Sequence, residues 1–94
     1  MPILHRMRWG EALPLYRVWL EAANRSPNTV RLYSSYLNRF AVLHPILADV
    51  TESDLLTYLA HTAWSGKTKN CVRSTFRMFF GWCFDQGHLP NNPA

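Results

Sequence analysis

Apolar side chains recur every three or four residues in four successive stretches of the chain, which is the spacing of one face of an α-helix. No stretch sustains the alternation of apolar and polar residues that is typical of a β-strand, and no Asn-Gly or Asp-Gly pair offers a hairpin turn. The pattern therefore predicts an all-α fold: a compact bundle of four helices, or five if a short extra element is present.

The first helix is predicted to begin at Pro14, because proline suits the first helical position, where its missing N–H costs nothing. Its apolar face is then formed by Leu15, Val18, Trp19 and Ala22. Residues 1–12 precede this helix, and their pattern fits either an arm or an extra helical turn.

The second helix is predicted to start at Ser26-Pro27, a capping hydroxyl followed by proline, and to end at His44-Pro45. Its apolar face comprises Val30, Tyr33, Leu37 and Phe40. The opposite face is polar and basic and contains no acid; its residues are Asn28, Arg31, Ser35, Asn38 and Arg39.

The third helix is predicted to be capped by Thr51, with Asp54 in its first turn to complement the helix dipole and Val50 packed on Leu55. Its buried face is expected to contain Leu55, Leu56, Tyr58 and Leu59. This helix should end near residues 61–63, and Trp64-Ser65-Gly66 should form the following turn.

The fourth helix contains KTKNCVRSTFRMFFGW, residues 67 to 82, which carries four positive charges, no negative charge and four aromatic rings. Ser65 is its predicted cap and Gly87 its left-handed terminator. The predicted core side is Val72, Phe76, Phe79 and Cys83, with Met78, Phe80 and Trp82 at its margins. The predicted outer side is Lys67, Asn70, Arg73, Ser74 and Arg77. For Trp82 and Phe84, ordinary burial is favoured over packing against another domain.

The 94 residues are enough for one domain with a modest core, and 48% of them are hydrophobic. No apolar run approaches the roughly 20 residues that a membrane span requires, and no secretory signal is evident. A cytoplasmic protein is therefore expected. Cys71 and Cys83 would lie about 18 Å apart on one helix, too far for a disulfide or a shared metal. We expect both to be small buried hydrophobes, with no metal site and no cofactor.

The positive charges are segregated along the chain, whose net charge is +4. Residues 22–48 and 55–84 contain basic residues but no acid. Arg73 and Arg77 are like charges at i, i+4, and Lys67 and Lys69 lie near a helix N-terminus; both placements are unfavourable without an anion. A phosphate backbone would make them favourable, so double-stranded DNA is the expected partner. A solvated face or an acidic protein partner is the alternative.

The chain resembles the N-terminal core-binding, or SAM-like, domain of phage integrases and other tyrosine recombinases. Four ordered stretches between residues 14 and 94 carry the resemblance: VWLEAANRSPNTVRLYSSYLNRF, LADVTESDLLTYLA, KTKNCVRSTFRMFFGWCFDQGHL and NNPA. It implies a core-binding domain over residues 13–90, with residues 91–94 starting a linker to a separate catalytic domain.

The resemblance also implies that this domain and the catalytic domain clamp duplex DNA, with the second and fourth helices against the major groove. Carried over by position, the candidate DNA contacts are Thr29, Arg31, Ser35, Asn38, Arg39, Lys67, Thr68, Lys69, Asn70, Arg73, Ser74 and Arg77. The family's tyrosine nucleophile and its Arg, Lys and His partners lie in the other domain, so no catalytic residue and no activity are expected here. The fragment should be monomeric, and the full-length protein a tetramer on DNA.

Two other functions compete with this interpretation. A helical protein-interaction module with a basic face would use the same architecture. A helix-turn-helix regulator would need a tight helix pair with a protruding recognition helix, which the spacing of the third and fourth helices does not resemble.

Overall fold

The computed structural model describes residues 8–60 and 63–94. These residues form α1 (Trp9–Ala22), α2 (Pro27–Leu43), a short 3-10 helix (Leu47–Asp49), α3 (Glu52–Ala60) and α4 (Gly66–Asp85), and they contain no strand. The predicted all-α bundle of four helices with a short extra element is confirmed. The predicted end of the third helix falls partly on residues 61–62, outside the described residues.

Helix α1 begins at Trp9, five residues before the predicted start at Pro14, which is therefore wrong. The backbone N–H of Arg8 donates a hydrogen bond to Oε1 of Glu11 at 3.3 Å, a capping contact at the true start of the helix. Pro14 lies inside the helix, where it cannot donate the hydrogen bond to the carbonyl of Gly10 that another residue would donate. Residues 9–12 thus form an extra turn of α1.

The buried face of α1 is also not the predicted one. It consists of Trp9, Ala12, Tyr16 and Leu20. The side chains of Leu15, Val18 and Trp19 are instead 46%, 63% and 39% exposed. The helix carries two apolar stripes, and the longer one is buried because it begins a turn earlier and brings two large aromatic rings into the core.

Local signals end or begin the other helices as predicted. The hydroxyls of Ser26 and Ser65 accept hydrogen bonds from the N–H groups of Thr29 and Thr68, at 3.2 and 3.3 Å. At the start of α3 the exchange is reciprocal: Thr51 N–H donates to Asp54 Oδ2 at 2.9 Å, and Asp54 N–H donates to Thr51 Oγ1 at 3.2 Å. Gly66 is the first residue of α4, not part of the preceding turn.

Two left-handed residues reverse the chain after α1 and α4. Asn24 has φ 61° and Gly87 has φ 76°. After α4, Gly87 N–H donates to the carbonyl of Phe84 at 3.1 Å and His88 N–H to that of Cys83 at 2.8 Å. This pair of hydrogen bonds is a Schellman motif, and glycine suits it because it has no Cβ to clash at positive φ.

The core lies between α1, α2 and α4 and is built mainly from aromatic rings. Trp9 stacks on Phe79 with ring centroids 5.4 Å apart and meets Phe40 edge-on at 6.1 Å. The indole N–H of Trp9 donates to the backbone carbonyl of His44 at 2.7 Å, which ties α1 to the end of α2. The predicted core side of α4 is confirmed, since Val72, Phe76, Phe79 and Cys83 are all buried.

Helix α3 packs on α4 through Leu55 and Leu59, which are buried. Leu56 is 56% exposed, so its predicted burial is wrong. It follows Leu55 by about 100° around the helix and therefore points away from the contact. At the end of α4, Trp82 is buried as expected but Phe84 is 47% exposed, because its position lies on the outer side of that helix.

The two cysteines differ in burial. Cys83 is fully buried, and burial raises the pKa of its thiol to about 12. Cys71 is only half-buried, so its expected full burial is wrong. No cluster of metal-binding side chains occurs among the described residues. None of the described helices combines the length and the apolar character that crossing a membrane demands.

Candidate nucleic-acid interface

The candidate residues of α2 and α4 lie on the outer sides of both helices, because the apolar stripes of these helices face the core. On α2 the side chains of Asn28, Arg31, Ser35, Asn38 and Arg39 are exposed, and Thr29 is half-buried. On α4 those of Lys67, Asn70, Arg73, Ser74 and Arg77 are exposed, and Thr68 and Lys69 are half-buried. The predicted separation of each helix into an apolar and a basic side is confirmed.

The charges of the candidate cations are not neutralised by neighbouring acids. In the part of the chain that the structure describes, Arg17 pairs with Glu21 at 3.2 Å, and Nδ1 of His44 lies 4.0 Å from Oδ2 of Asp54. Neither pair contains a candidate residue. Arg31 donates a hydrogen bond to the neutral side chain of Asn28, which leaves its charge in place. Both basic sides are therefore available to an anionic partner.

Tyr36 of α2 contacts Cys71 in the first half of α4. Its ring lies 6.0 Å from the ring of Trp64, which in turn lies 5.5 Å from Tyr58 of α3. Burial raises the pKa of Tyr36, and the adjacent Cys71 thiol of α4 raises it further. The middle of α2 is thus held beside the beginning of α4 by contacts among partly buried aromatic side chains.

Five candidate residues lie on the solvent side of the place where Tyr36 of α2 meets Cys71 of α4. They are one, three or four residues from Tyr36 or Cys71, which at about 100° per residue puts them on one side of each helix. We call them the crossing group: Ser35 and Arg39 on α2, and Lys67, Asn70 and Ser74 on α4. Burial raises the pKa of Tyr58, and the charge of Arg39 opposes that rise, which places Arg39 near the end of α3 as well. The two basic sides therefore adjoin each other at the crossing group.

Arg73 and Arg77 lie on the other side of α4, towards α3. They line a cavity of about 140 Å³ between these helices, together with Leu56 and the C-terminal Pro93. Five of the seven α4 candidates therefore divide between two places: the crossing group next to α2, and this α3–α4 cleft. The half-buried Thr68 and Lys69 belong to neither. Sequence periodicity alone could not make this division, because it does not indicate which neighbour lies on each side of the helix.

Arg31 also lies away from the crossing group, at the N-terminal end of α2. It lines a concavity of about 590 Å³ at the turn between α1 and α2, which Arg17 and Arg25 line as well. Neither Arg17 nor Arg25 was among the predicted contacts. The sequence could have indicated Arg25 as a candidate contact, since it lies in the acid-free segment 22–48 directly before Ser26-Pro27.

The tyrosines occupy core or helix-border positions. Tyr16 is buried, and burial raises its pKa. Tyr33, Tyr36 and Tyr58 are half-buried and pack against the core. His44 follows the last residue of α2, and its ring stacks on Phe40 at 4.5 Å.

Comparisons with known proteins identify relatives of this arrangement. Residues 15–87 match the family model described as phage integrase, N-terminal SAM-like domain. The solved structure of the integrase from mycobacterium phage Brujita matches with a TM-score of 0.79 and 24% sequence identity, over 86% of this chain and 29% of that one. The chain thus spans less than a third of that integrase, with which it shares the fold. The comparison with curated protein sequences gave no match.

Proposed function

The chain belongs to the family of phage integrase N-terminal SAM-like domains, and on this basis we propose that it is the duplex-DNA-binding module of a site-specific tyrosine recombinase. In this proposal α2 and α4 lie against the major groove. A catalytic domain elsewhere in the parent protein supplies the tyrosine nucleophile and completes the clamp on DNA. The parent protein acts as a tetramer on DNA in the cytoplasm, and the domain alone is a monomer.

The crossing group is the observation that carries the proposal. It comprises Arg39 of α2 and Lys67 of α4 together with exposed Ser and Asn side chains, and it contains no acid. Arg and Lys neutralise phosphates, whereas Ser and Asn donate hydrogen bonds to phosphate oxygens or to base edges. The capped N-terminus of α4 adds backbone N–H groups and the positive end of a helix dipole beside Lys67. An anionic backbone would relieve the unfavourable placement of these cations.

The salt dependence of duplex binding tests the proposal. If about five phosphates are neutralised, the slope of log K against log salt should be about −4 to −5. Fluorescence anisotropy of a labelled duplex, measured between about 0.05 and 0.3 M salt, gives this slope. Failure to bind duplex DNA at the lowest salt would overturn the proposal.

The crossing group can be tested in the same titration. Replacing Arg39→Ala together with Lys67→Ala should weaken binding and make the slope shallower by about two, since each cation releases roughly one counterion. Arg8→Ala, which removes one positive charge at the exposed start of α1, is the control for each of the two replacements made singly. Equal slopes for the double variant and the unchanged chain would remove the crossing group from the interface.

A protein-interaction module is the alternative function, and the α3–α4 cleft is the observation that favours it. The exposed Leu56 and the two arginines of this cleft would suit an acidic partner with an apolar side chain. Under the DNA proposal, Arg73→Glu together with Arg77→Glu weakens duplex binding. Duplex affinity that survives this reversal of charge would favour a protein partner for the cleft.

A further inference from the structure

The concavity at the turn between α1 and α2 gathers three of the chain's cations in one place. Arg17 comes from the last turns of α1, Arg25 from the turn itself and Arg31 from the second turn of α2. The turn is fixed by Asn24 at φ 61° and by a hydrogen bond of 3.0 Å from Arg25 N–H to the carbonyl of Leu20. The backbone that presents these side chains is therefore defined by local hydrogen bonds.

The charges in this concavity do not cancel. Glu21 pairs with Arg17 at 3.2 Å and is the acid of the lining. Arg25 and Arg31 form no ion pair with any acid in the described ranges 8–60 and 63–94. Arg31 adds its charge from the second turn of α2, close to the N-terminal end of that helix. Two positive charges and the positive end of a helix thus surround a space large enough for a tetrahedral anion.

From this arrangement we infer that the α1–α2 concavity is an additional binding site for a phosphate group of the nucleic-acid backbone. The inference rests on the proposed function and extends its surface. Arg31 belongs both to the basic side of α2 and to the lining of the concavity, so the two are continuous. A duplex lying along α2 would bring a further phosphate to Arg25 and Arg31, beyond those at the crossing group.

Electrostatics favours the backbone phosphate of a duplex over a free phosphate ion. The concavity is open and its arginines are exposed, so a single small anion would gain little over its hydration in water. A phosphate of a duplex that is already bound at the crossing group pays no separate cost of association. Its binding at the concavity releases one more counterion, so the slope of log K against log salt becomes steeper by about one.

Two substitutions with opposite expected effects test the inference. Arg25→Gln removes a cation from the exposed surface, so the slope should become shallower by about one and binding at about 0.1 M salt should weaken roughly fivefold to tenfold. Glu21→Gln releases Arg17 from its ion pair, so binding should tighten and the slope should steepen. Arg8→Gln, about 20 Å away at the other end of α1, is the matched control and should have no effect comparable to that of Arg25→Gln.

The outcomes separate this site from the proposed function. Duplex binding that weakens with Arg39→Ala and Lys67→Ala, but is unchanged by Arg25→Gln and Glu21→Gln, overturns the inference and leaves the proposed function standing. Absence of duplex binding by the unchanged chain overturns both. A phosphorus NMR titration with inorganic phosphate is the second arm: saturable binding of the free ion that Arg25→Gln abolishes, with duplex affinity unchanged, identifies a free-phosphate site and overturns the backbone assignment.

Discussion

The two cysteine side chains of α4 show how strongly the surroundings of one residue determine its chemistry. Cys83 is enclosed by the core, and burial raises the pKa of its thiol from 9.0 to about 12, because a thiolate there would lose its hydration. Cys71 lies half-exposed beside Tyr36. The same residue type on the same helix is therefore inert at one position and accessible at the other.

The buried thiol predicts a loss of stability in alkaline solution. Between pH 9 and 12 the unfolded chain loses the Cys83 proton while the folded chain retains it, so the free energy of unfolding should fall as the pH rises through this range. Urea unfolding at pH 8 and pH 10 measures the effect. The Cys83→Ala variant keeps every tyrosine and should show a smaller decrease. Parallel pH profiles for the two proteins would contradict the prediction.

Among the elements, α1 shows that one helix can carry two apolar stripes, of which only one is buried. Its two apolar stripes differ in phase, and only the stripe of Trp9, Ala12, Tyr16 and Leu20 is buried. The other stripe carries Leu15, Val18 and Trp19 in partial contact with solvent. Helical periodicity identifies both stripes, but burial depends on which one meets α2 and α4.

Paired substitutions in α1 measure which stripe stabilises the fold. Leu20→Ala should lower the free energy of unfolding by about 2 to 5 kcal/mol, because it leaves a cavity in the core. Val18→Ala should change it by less than about 0.5 kcal/mol, since the side chain is exposed and alanine favours a helix. Urea unfolding followed by circular dichroism compares the two variants. A larger effect at Val18 than at Leu20 would show that the helix is packed in the other phase.

In the molecule as a whole, Trp9 connects elements that are far apart in the sequence. Its ring stacks on Phe79 of α4, its edge meets Phe40 of α2, and its N–H bonds to the carbonyl after α2. The relative placement of α2 and α4, and with it the continuity of the proposed DNA surface, therefore depends in part on a residue of α1.

Substitutions at Trp9 should affect both stability and binding. Trp9→Ala should lower the free energy of unfolding by about 3 to 5 kcal/mol, as is typical for a buried tryptophan. Trp9→Phe keeps an aromatic ring but removes the N–H donor. It should therefore lower the free energy of unfolding by less than Trp9→Ala does. Thermal unfolding and duplex anisotropy, measured on the same samples, test this. Unchanged stability in Trp9→Ala would show that the first turn of α1 is not part of the core.

The sequence alone determined the features that depend on neighbours within a few residues. The caps at Ser26 and Ser65 and the terminator at Gly87 are hydrogen-bonding arrangements inside one turn of chain, so their residue types suffice to predict them. The apolar and basic sides of α2 and α4 also follow from spacing, since each of these helices has one dominant stripe. The all-α fold and the family resemblance follow from the same order of elements.

Only the tertiary structure decided which surfaces adjoin each other. It selected one of the two stripes of α1, left Leu56 exposed, and divided five of the seven α4 candidates between the crossing group and the α3–α4 cleft. It also brought Arg17 and Arg25 to Arg31, a cluster drawn from two helices and their turn. These outcomes depend on contacts between residues distant in sequence, and the periodicity of a single helix contains no information about its neighbours.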